Sequence, residues 1–142
     1  MNEKRILNVV AAALIKKEEG KLLLARRPEG KNLAGLWEYP GGKIEAGETP
    51  KEALARELNE ELNITVALSE MHPFEKTVFE YDAFILSMEL FLCFSWEGEP
   101  TPKEGQSISW ADVKFLGLER DKYPMPPADE VISEHLRNHL SY

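Results

Sequence analysis

Apolar residues in this chain fall into short runs with two different periods. Residues 8–15 are nearly continuous in apolar character, from Val9-Val10-Ala11 to Leu14-Ile15. The charged stretch Lys16-Lys17-Glu18-Glu19-Gly20 and a second run, Leu22-Leu23-Leu24-Ala25, follow. Two short apolar runs around a polar, glycine-ended link predict two strands joined by a hairpin, with Glu19-Gly20 at the turn. Residues 28–35 hold a proline and two glycines and predict a loop. Trp37-Glu38-Tyr39 predicts a short strand ended by Pro40, and Gly41-Gly42 a sharp turn. The period then changes. Leu54, Leu58 and Leu62 recur at i, i+4 and i+8, the buried stripe of an amphipathic helix over residues 50–62. Glu48 or Thr49 can start that helix, with Pro50 at its first position.

Beyond the helix, the β-branched content of residues 64–68 predicts a strand. Residues 74–81 and 83–95 predict a long hairpin around Tyr81-Asp82. Residues 96–107 form a polar loop with Gly98, Pro100, Pro102 and Gly105, and Ile108-Ser109-Trp110 predicts one more short strand. Val131, Ile132, Leu136 and Leu140 recur at helical spacing over a last helix, residues 127–139. Strands interleaved with two helices predict the α/β class, as an α/β/α sandwich with a mixed sheet between helices. A length of 142 residues predicts one domain, residues 1–142, with a core of useful size.

Composition narrows the functional classes. The formal net charge is −8, which argues against binding to nucleic-acid polymers. It leaves room for a nucleotide ligand, because a metal can bridge acidic protein and anionic phosphate. Cys93 is the single cysteine and lies in an apolar run, so it reads as a buried small hydrophobe. The N-terminal apolar run follows Lys4 and Arg5 but is short and passes straight into charge. It reads as a strand and not as a signal peptide. With no stretch long enough for a bilayer, the expected location is the cytoplasm, with no membrane partner.

The candidate chemistry lies on the first helix. Glu57, Glu60 and Glu61 are spaced i, i+3 and i+4, within an arc of roughly 100°. Acidic faces are usually only solvated faces. Crowded carboxylates also repel one another, and a hard divalent cation removes that cost; an all-oxygen set suits Mg²⁺ or Mn²⁺. The spacing is more specific than the acid count. Gly42, five residues, Glu48, seven residues and then Arg56-Glu57-Leu58-Asn59-Glu60-Glu61-Leu62-Asn63-Ile64 resembles the Nudix box. That box is the signature of hydrolases acting on nucleoside diphosphates linked to another group. Asn63 stands where the box has glycine, and Asn is the next best residue for a left-handed helix end.

The flanking segments resemble the MutT branch: Leu36 to Glu45, Trp96-Glu97-Gly98-Glu99-Pro100, Lys103-Glu104-Gly105-Gln106 and Pro126-Pro127-Ala128-Asp129. The resemblance implies hydrolysis of a nucleoside triphosphate at the β-phosphorus to the monophosphate and pyrophosphate. The leading substrate it implies is 8-oxo-dGTP, whose removal cleans the DNA precursor pool. It implies Mg²⁺, with Mn²⁺ possible, held by Glu57, Glu60, Glu61, Glu104 and the Gly41 carbonyl. Glu57, Glu60 or Glu104 would serve catalysis, with Arg56 orienting the carboxylates. Arg27, Lys43, Glu38 and Asp129 are the substrate-binding candidates, and Gly42 and Glu48 support the box. By strand alternation, Arg26 is expected on the face opposite Arg27.

Asp129 leaves the base open. The branch's 8-oxoguanine enzyme has Asn at the matching place, and ionised Asp only accepts hydrogen bonds. A cytidine triphosphate is therefore the runner-up, with another nucleoside diphosphate derivative behind it; Asp129 also reads as a plain helix N-cap. Phe79, Tyr81 and Phe84 are base-stacking candidates that also read as core. A non-catalytic Nudix-type binding module is disfavoured because every box acid is present. His135 and His139, at i, i+4, lack a third ligand and read as a helix tail, and His72 reads as loop. The expected assembly is a monomer or weak dimer.

Overall fold

The computed structural model describes residues 3–28, 30 and 35–142. Residues 29 and 31–34 of the expected 28–35 loop lie outside the described residues. Strand β1 (Arg5–Lys16) and strand β2 (Lys21–Arg26) form the expected hairpin, pairing Ile15 with Leu22. Short strands β3 (Trp37–Glu38) and β4 (Gly41–Lys43) follow, then helix α1 (Pro50–Leu62). Strands β5 (His72–Glu80) and β6 (Phe84–Cys93) form the long hairpin. Strand β7 (Ser107–Asp112) and helix α2 (Pro127–Leu140) complete the order.

The sheet runs β3-β2-β1-β6-β5, with β4 added to β1 and β7 added to β2. It is mixed: β1 and β6 run parallel from Arg5/Phe84 to Leu14/Cys93, and the other pairs are antiparallel. A central strand covered on both faces needs apolar side chains at every position, not at alternate ones. That is why residues 10–15 read as a continuous apolar run. Val10, Ala12 and Leu14 pack with Leu54, Leu58 and Leu62 of α1. Ala11, Ala13 and Ile15 pack with Ile132 and Leu136 of α2. The two alternating sets face opposite helices, which is the expected three-layer arrangement. The three α1 leucines are fully buried, each contributing about 1.5–3 kcal/mol of transfer free energy as an upper bound.

Helix α1 starts with a reciprocal cap. Thr49 Oγ1 accepts from the Glu52 N–H at 3.2 Å, and Glu52 Oε1 accepts from the Thr49 N–H at 2.9 Å. Thr49 is therefore the N-cap, and Glu48 is free for another role. Asn63 ends the helix at φ 57° and ψ 35°, the left-handed conformation expected of it.

Three local expectations are corrected. Gly41-Gly42 is no isolated turn: it lies in β4, paired with Ala11 and Val10. Residues 64–68 form no strand of their own; Thr65 makes a single bridge with Glu97, and Leu68–Glu70 is a 3₁₀ turn. Ile64 and Val66 are buried there, so their apolar character reflects burial and not ladder pairing. His72 is the first residue of β5 and not part of a loop.

Candidate active site

Two adjoining cavities open where β3, β4, the end of α1 and the loop before β7 meet. The first, about 430 Å³, is lined by Arg26, Arg27, Glu38, Gly41, Glu61, Glu104 and Gln106, among others. The second, about 200 Å³, shares Arg27, Glu38 and Gly41. Its walls are apolar, with Val9, Leu86 and Met88 beside Tyr81 and Phe84, and Asp129 is among its lining residues. A polar cleft joined to an apolar pocket suits a ligand with a charged tail and a planar body.

The helix residues divide by direction. Glu61 lines the cleft, and its Oε2 lies 3.3 Å from the Gly41 N–H that donates to it. Glu57 lies beside the cleft, packed against Gly42: a Cβ on Gly42 would sit 2.4 Å from the Glu57 carboxylate. Gly41 is equally confined, since its Cβ would lie 2.0 Å from the Val10 carbonyl oxygen. The paired glycines thus let β4 run between β1 and the acidic helix. Glu60 is exposed and lines neither cavity.

Arg56 organises this face. Its Nε and Nη2 grip Glu48 at 2.6 and 3.0 Å, and its Nη1 donates to Glu57 at 2.8 Å and to Glu60 at 3.3 Å. Nη2 also donates to the Lys43 carbonyl at 3.1 Å. The planar fork binds carboxylates in fixed directions. Hydrogen bonds from Arg56 hold the Glu48 carboxyl below its ordinary range. Glu57 is instead raised by burial, against the opposing pull of Arg56.

Among the described residues no such cation pairs with Glu61. Burial first, then the charges of Glu57, Glu104 and Glu38, push it up to about 8. Burial likewise raises Glu38, against Arg27. This donor set is all oxygen, negatively charged and under-compensated, which fits a hard divalent cation. Among the described residues no three acidic, His or Cys side chains already stand as a ready cage. Such a set suits an ion that keeps waters and substrate oxygens in its shell.

Glu104 reaches the cleft because its loop is pinned to the end of α1. The Thr101 and Lys103 N–H groups donate to the carbonyls of Leu62 and Glu61, each at 2.9 Å. Gln106 Nε2 donates to the same Glu61 carbonyl at 2.9 Å, and its Oε1 accepts from the Glu104 N–H at 2.8 Å. Gln106 appeared in the sequence only inside a family-like segment; its holding role needed the fold.

Arg27 Nε lies 3.1 Å from Glu38 Oε1, an ion pair between two residues that line both cavities. A guanidinium has five N–H donors, so it can keep that pair and still meet a phosphate oxygen in the adjoining cleft. Arg26 was expected on the opposite face but also lines the first cavity, donating from Nε to the Gly35 carbonyl at 3.4 Å. The strand ends at Arg26, so alternation no longer separates the two arginines. Lys43 is exposed and lines the second cavity, not the polar cleft.

Asp129 is no N-cap: Pro126 holds that position, and Asp129 lies in the first turn of α2, only 6% exposed. Burial and then the charge of Glu38 push its carboxyl up to about 7. A second feature found only in three dimensions lies alongside. Tyr39 Oη and Ser133 Oγ are 2.7 Å apart, and Ser133 Oγ donates to the Asp129 carbonyl at 2.8 Å, tying the link between β3 and β4 to α2. Tyr81 and Phe84 line the second cavity with ring centroids 5.1 Å apart; Phe79 stacks on Tyr81 at 4.8 Å and lines neither. Of the two helix histidines, His135 Nδ1 lies 2.7 Å from Glu75 Oε1 and His139 packs on Phe74.

A mixed sheet between two helices, with a glycine-led acidic helix at a polar cleft, defines a Nudix fold and box. The chain belongs to the NUDIX domain family, whose model matches residues 6–135. It is 40% identical over 136 residues to an 8-oxo-dGTP diphosphatase of Haemophilus influenzae, covering 96% of this chain and 95% of that protein. It is 34% identical over 125 residues to a CTP pyrophosphohydrolase of Escherichia coli K12, covering 88% and 87%. A solved structure from work on MutT of Aliivibrio salmonicida and Vibrio cholerae superposes with a TM-score of 0.78 at 31% identity. The match covers 95% of this chain and 99% of that one.

Proposed function

We propose that this chain is a nucleoside triphosphate diphosphatase of the MutT type, cleaving 8-oxo-dGTP to the monophosphate and pyrophosphate. The carrying observation is the junction of the two cavities. A polar cleft with Glu61, Glu104 and Arg27 opens into an apolar, aromatic-edged pocket beside buried Asp129. The triphosphate occupies the cleft and the nucleoside the pocket. Near-complete coverage of 8-oxo-dGTP diphosphatase relatives supports the same reading.

The family's divalent cation, Mg²⁺ in this reading with Mn²⁺ as substitute, would be held by Glu57, Glu61 and the Gly41 carbonyl, with Glu60 and Glu104 nearby. When bound, it draws charge from phosphate oxygens and acidifies water. The protein's own residues do the positioning, which carries most of the catalysis in phosphoryl transfer. Arg56 keeps Glu57 oriented, Arg27 meets the phosphates, and Glu104 or Glu57 takes the proton of the attacking water. Among the described residues no helix is long and apolar enough to cross a membrane. A cytoplasmic enzyme acting on free nucleotides accords with that.

Asp129 favours a second reading. Ionised, it accepts from an exocyclic amine, as cytosine presents. Protonated, it offers a donor beside an acceptor, as an Asn would. Rates of pyrophosphate release from 8-oxo-dGTP, dGTP, dCTP and CTP decide between them. The expected order puts 8-oxo-dGTP first; a higher kcat/KM for dCTP moves the assignment to cytidine triphosphates. Glu57→Gln is expected to lower kcat by about two orders of magnitude or more with the fold intact.

A further inference from the structure

Strand β5 ends the sheet, and its outer edge has a definite hydrogen-bond parity. The hairpin closes with the Tyr81 N–H donating to the Phe84 carbonyl at 2.8 Å. The register then pairs Glu80 with Ile85, Phe79 with Leu86, Val78 with Ser87, Thr77 with Met88 and Lys76 with Glu89. Antiparallel ladders alternate bonded and non-bonded pairs. Tyr81, Phe79 and Thr77 therefore bond inward to β6, and the N–H and C=O groups of Glu80, Val78 and Lys76 face outward. The same three residues are exposed, while Thr77 and Phe79 between them are half-buried. Val78, at 66%, is the most exposed large apolar side chain among the described residues.

We infer that β5 pairs with β5 of a second copy of this chain, antiparallel about a two-fold axis through Val78. In that register Val78 meets Val78, and Lys76 meets Glu80 of the second copy, twice by symmetry. Every outward N–H and C=O of these three residues gains a partner, because residues of matching parity face each other. Neighbouring registers of the same parity set a charge opposite valine. Slipping further sets Lys76 on Lys76 or Glu80 on Glu80. Only the axis at Val78 sets Lys76 opposite Glu80, and directly opposed unlike charges stabilise a strand pair. Edge strands are normally guarded by charges that repel a neighbour; these two charges instead attract their symmetry mates. Glu80 already meets Lys4 Nζ at 2.7 Å, but its side chain stays 65% exposed, so the carboxylate can also receive Lys76 of the second copy. An interface of one strand edge falls below the roughly 1,200 Å² of stable complexes, so association is weak and concentration-dependent.

Sedimentation velocity over a wide concentration range tests this. The expected result is a reversible rise in mass from 16.2 kDa toward twice that value. Lys76→Glu or Glu80→Lys alone should weaken association about tenfold or more, and the two together should restore it. Val78→Cys should cross-link as a dimer under mild oxidation, since bonded strand pairs bring Cα atoms to about 5.5 Å. Val131→Cys, exposed on α2, should not, and Cys93 is buried. None of these side chains lines either cavity, so retained turnover certifies each variant's fold. A wild-type chain that stays monomeric, or a double variant that fails to regain dimer, overturns the proposal. So does a monomer whose β5 amides gain exchange protection only with an unrelated extended peptide.

Discussion

Gly42→Ala separates geometry at the site from stability of the fold. The added Cβ would lie 2.4 Å from the Glu57 Cδ and Oε2 and 2.7 Å from Oε1. Ordinary carbon contacts need about 3.5–4.0 Å, so the carboxylate must retreat by about 1 Å or more. The backbone at Gly42 is held by its pairing with Val10, so the strand yields less easily than the side chain. Glu57 is the tip of a flexible side chain. Rotating it away costs stability only about 1–3 kcal/mol, the range for modest overpacking. The chemical cost is larger, because a 1 Å misplacement of a catalytic group can lower turnover by about 100-fold. The displaced carboxylate also loses its 2.8 Å hydrogen bond from Arg56. The assay is pyrophosphate release at saturating Mg²⁺, with thermal unfolding of the same samples. Gly47→Ala is the control: its φ is +85° and a Cβ there meets nothing within 4 Å, so it should lose stability and keep activity. Turnover of Gly42→Ala within about threefold of wild type would refute the role given to Glu57.

Three further outcomes follow from the same geometry. Metal-free protein near pH 7 should release protons as Mg²⁺ is added, since Glu61 sits at about 8 until a cation compensates it; Glu61→Gln should remove most of that release, measurable in weakly buffered solution. Asp129 sits at about 7 in the fold against an ordinary 3.8, so native protein binds the extra proton, and this residue's contribution to stability falls as pH rises from about 4 to 7. Asp129→Asn should therefore flatten the pH dependence of unfolding over that window and stabilise the protein more at pH 8 than at pH 4, with base preference in the substrate panel shifting alongside. Asn63→Gly should leave turnover nearly unchanged and stability within about 1 kcal/mol, because Asn63 already adopts the left-handed conformation at φ 57°; a large gain in rate would mean that Asn63 impairs the site as it stands.

Much of the scaffold was legible because its signals are local. The α1 leucine stripe, the Thr49-Pro50 start and the Asn63 stop each depend on neighbours a few residues away, and each is in place. The segment at Ile64 and Val66 misled because apolar β-branched residues mark burial as readily as pairing, and only the tertiary packing separates the two. Gly41-Gly42 misled for a related reason. Two glycines look like a turn, but here they thin a strand so that the Val10 carbonyl and the Glu57 carboxylate can approach it from either side.

Helical spacing alone placed Glu57, Glu60 and Glu61 on one face, and the box pattern named their family, because both are read along a single segment. Which of the three meets the cleft depended on what lies opposite. Gly41 and the pinned 101–106 loop meet Glu61, Gly42 meets Glu57, and Glu60 meets Arg56 on the exposed side. Arg27 and Tyr39 lie far along the chain from Asp129 and Ser133, and the roles of all four come from burial and partners that no local pattern encodes. Local physics set the helix and its charges; long-range packing removed water from some of those charges and left it on others.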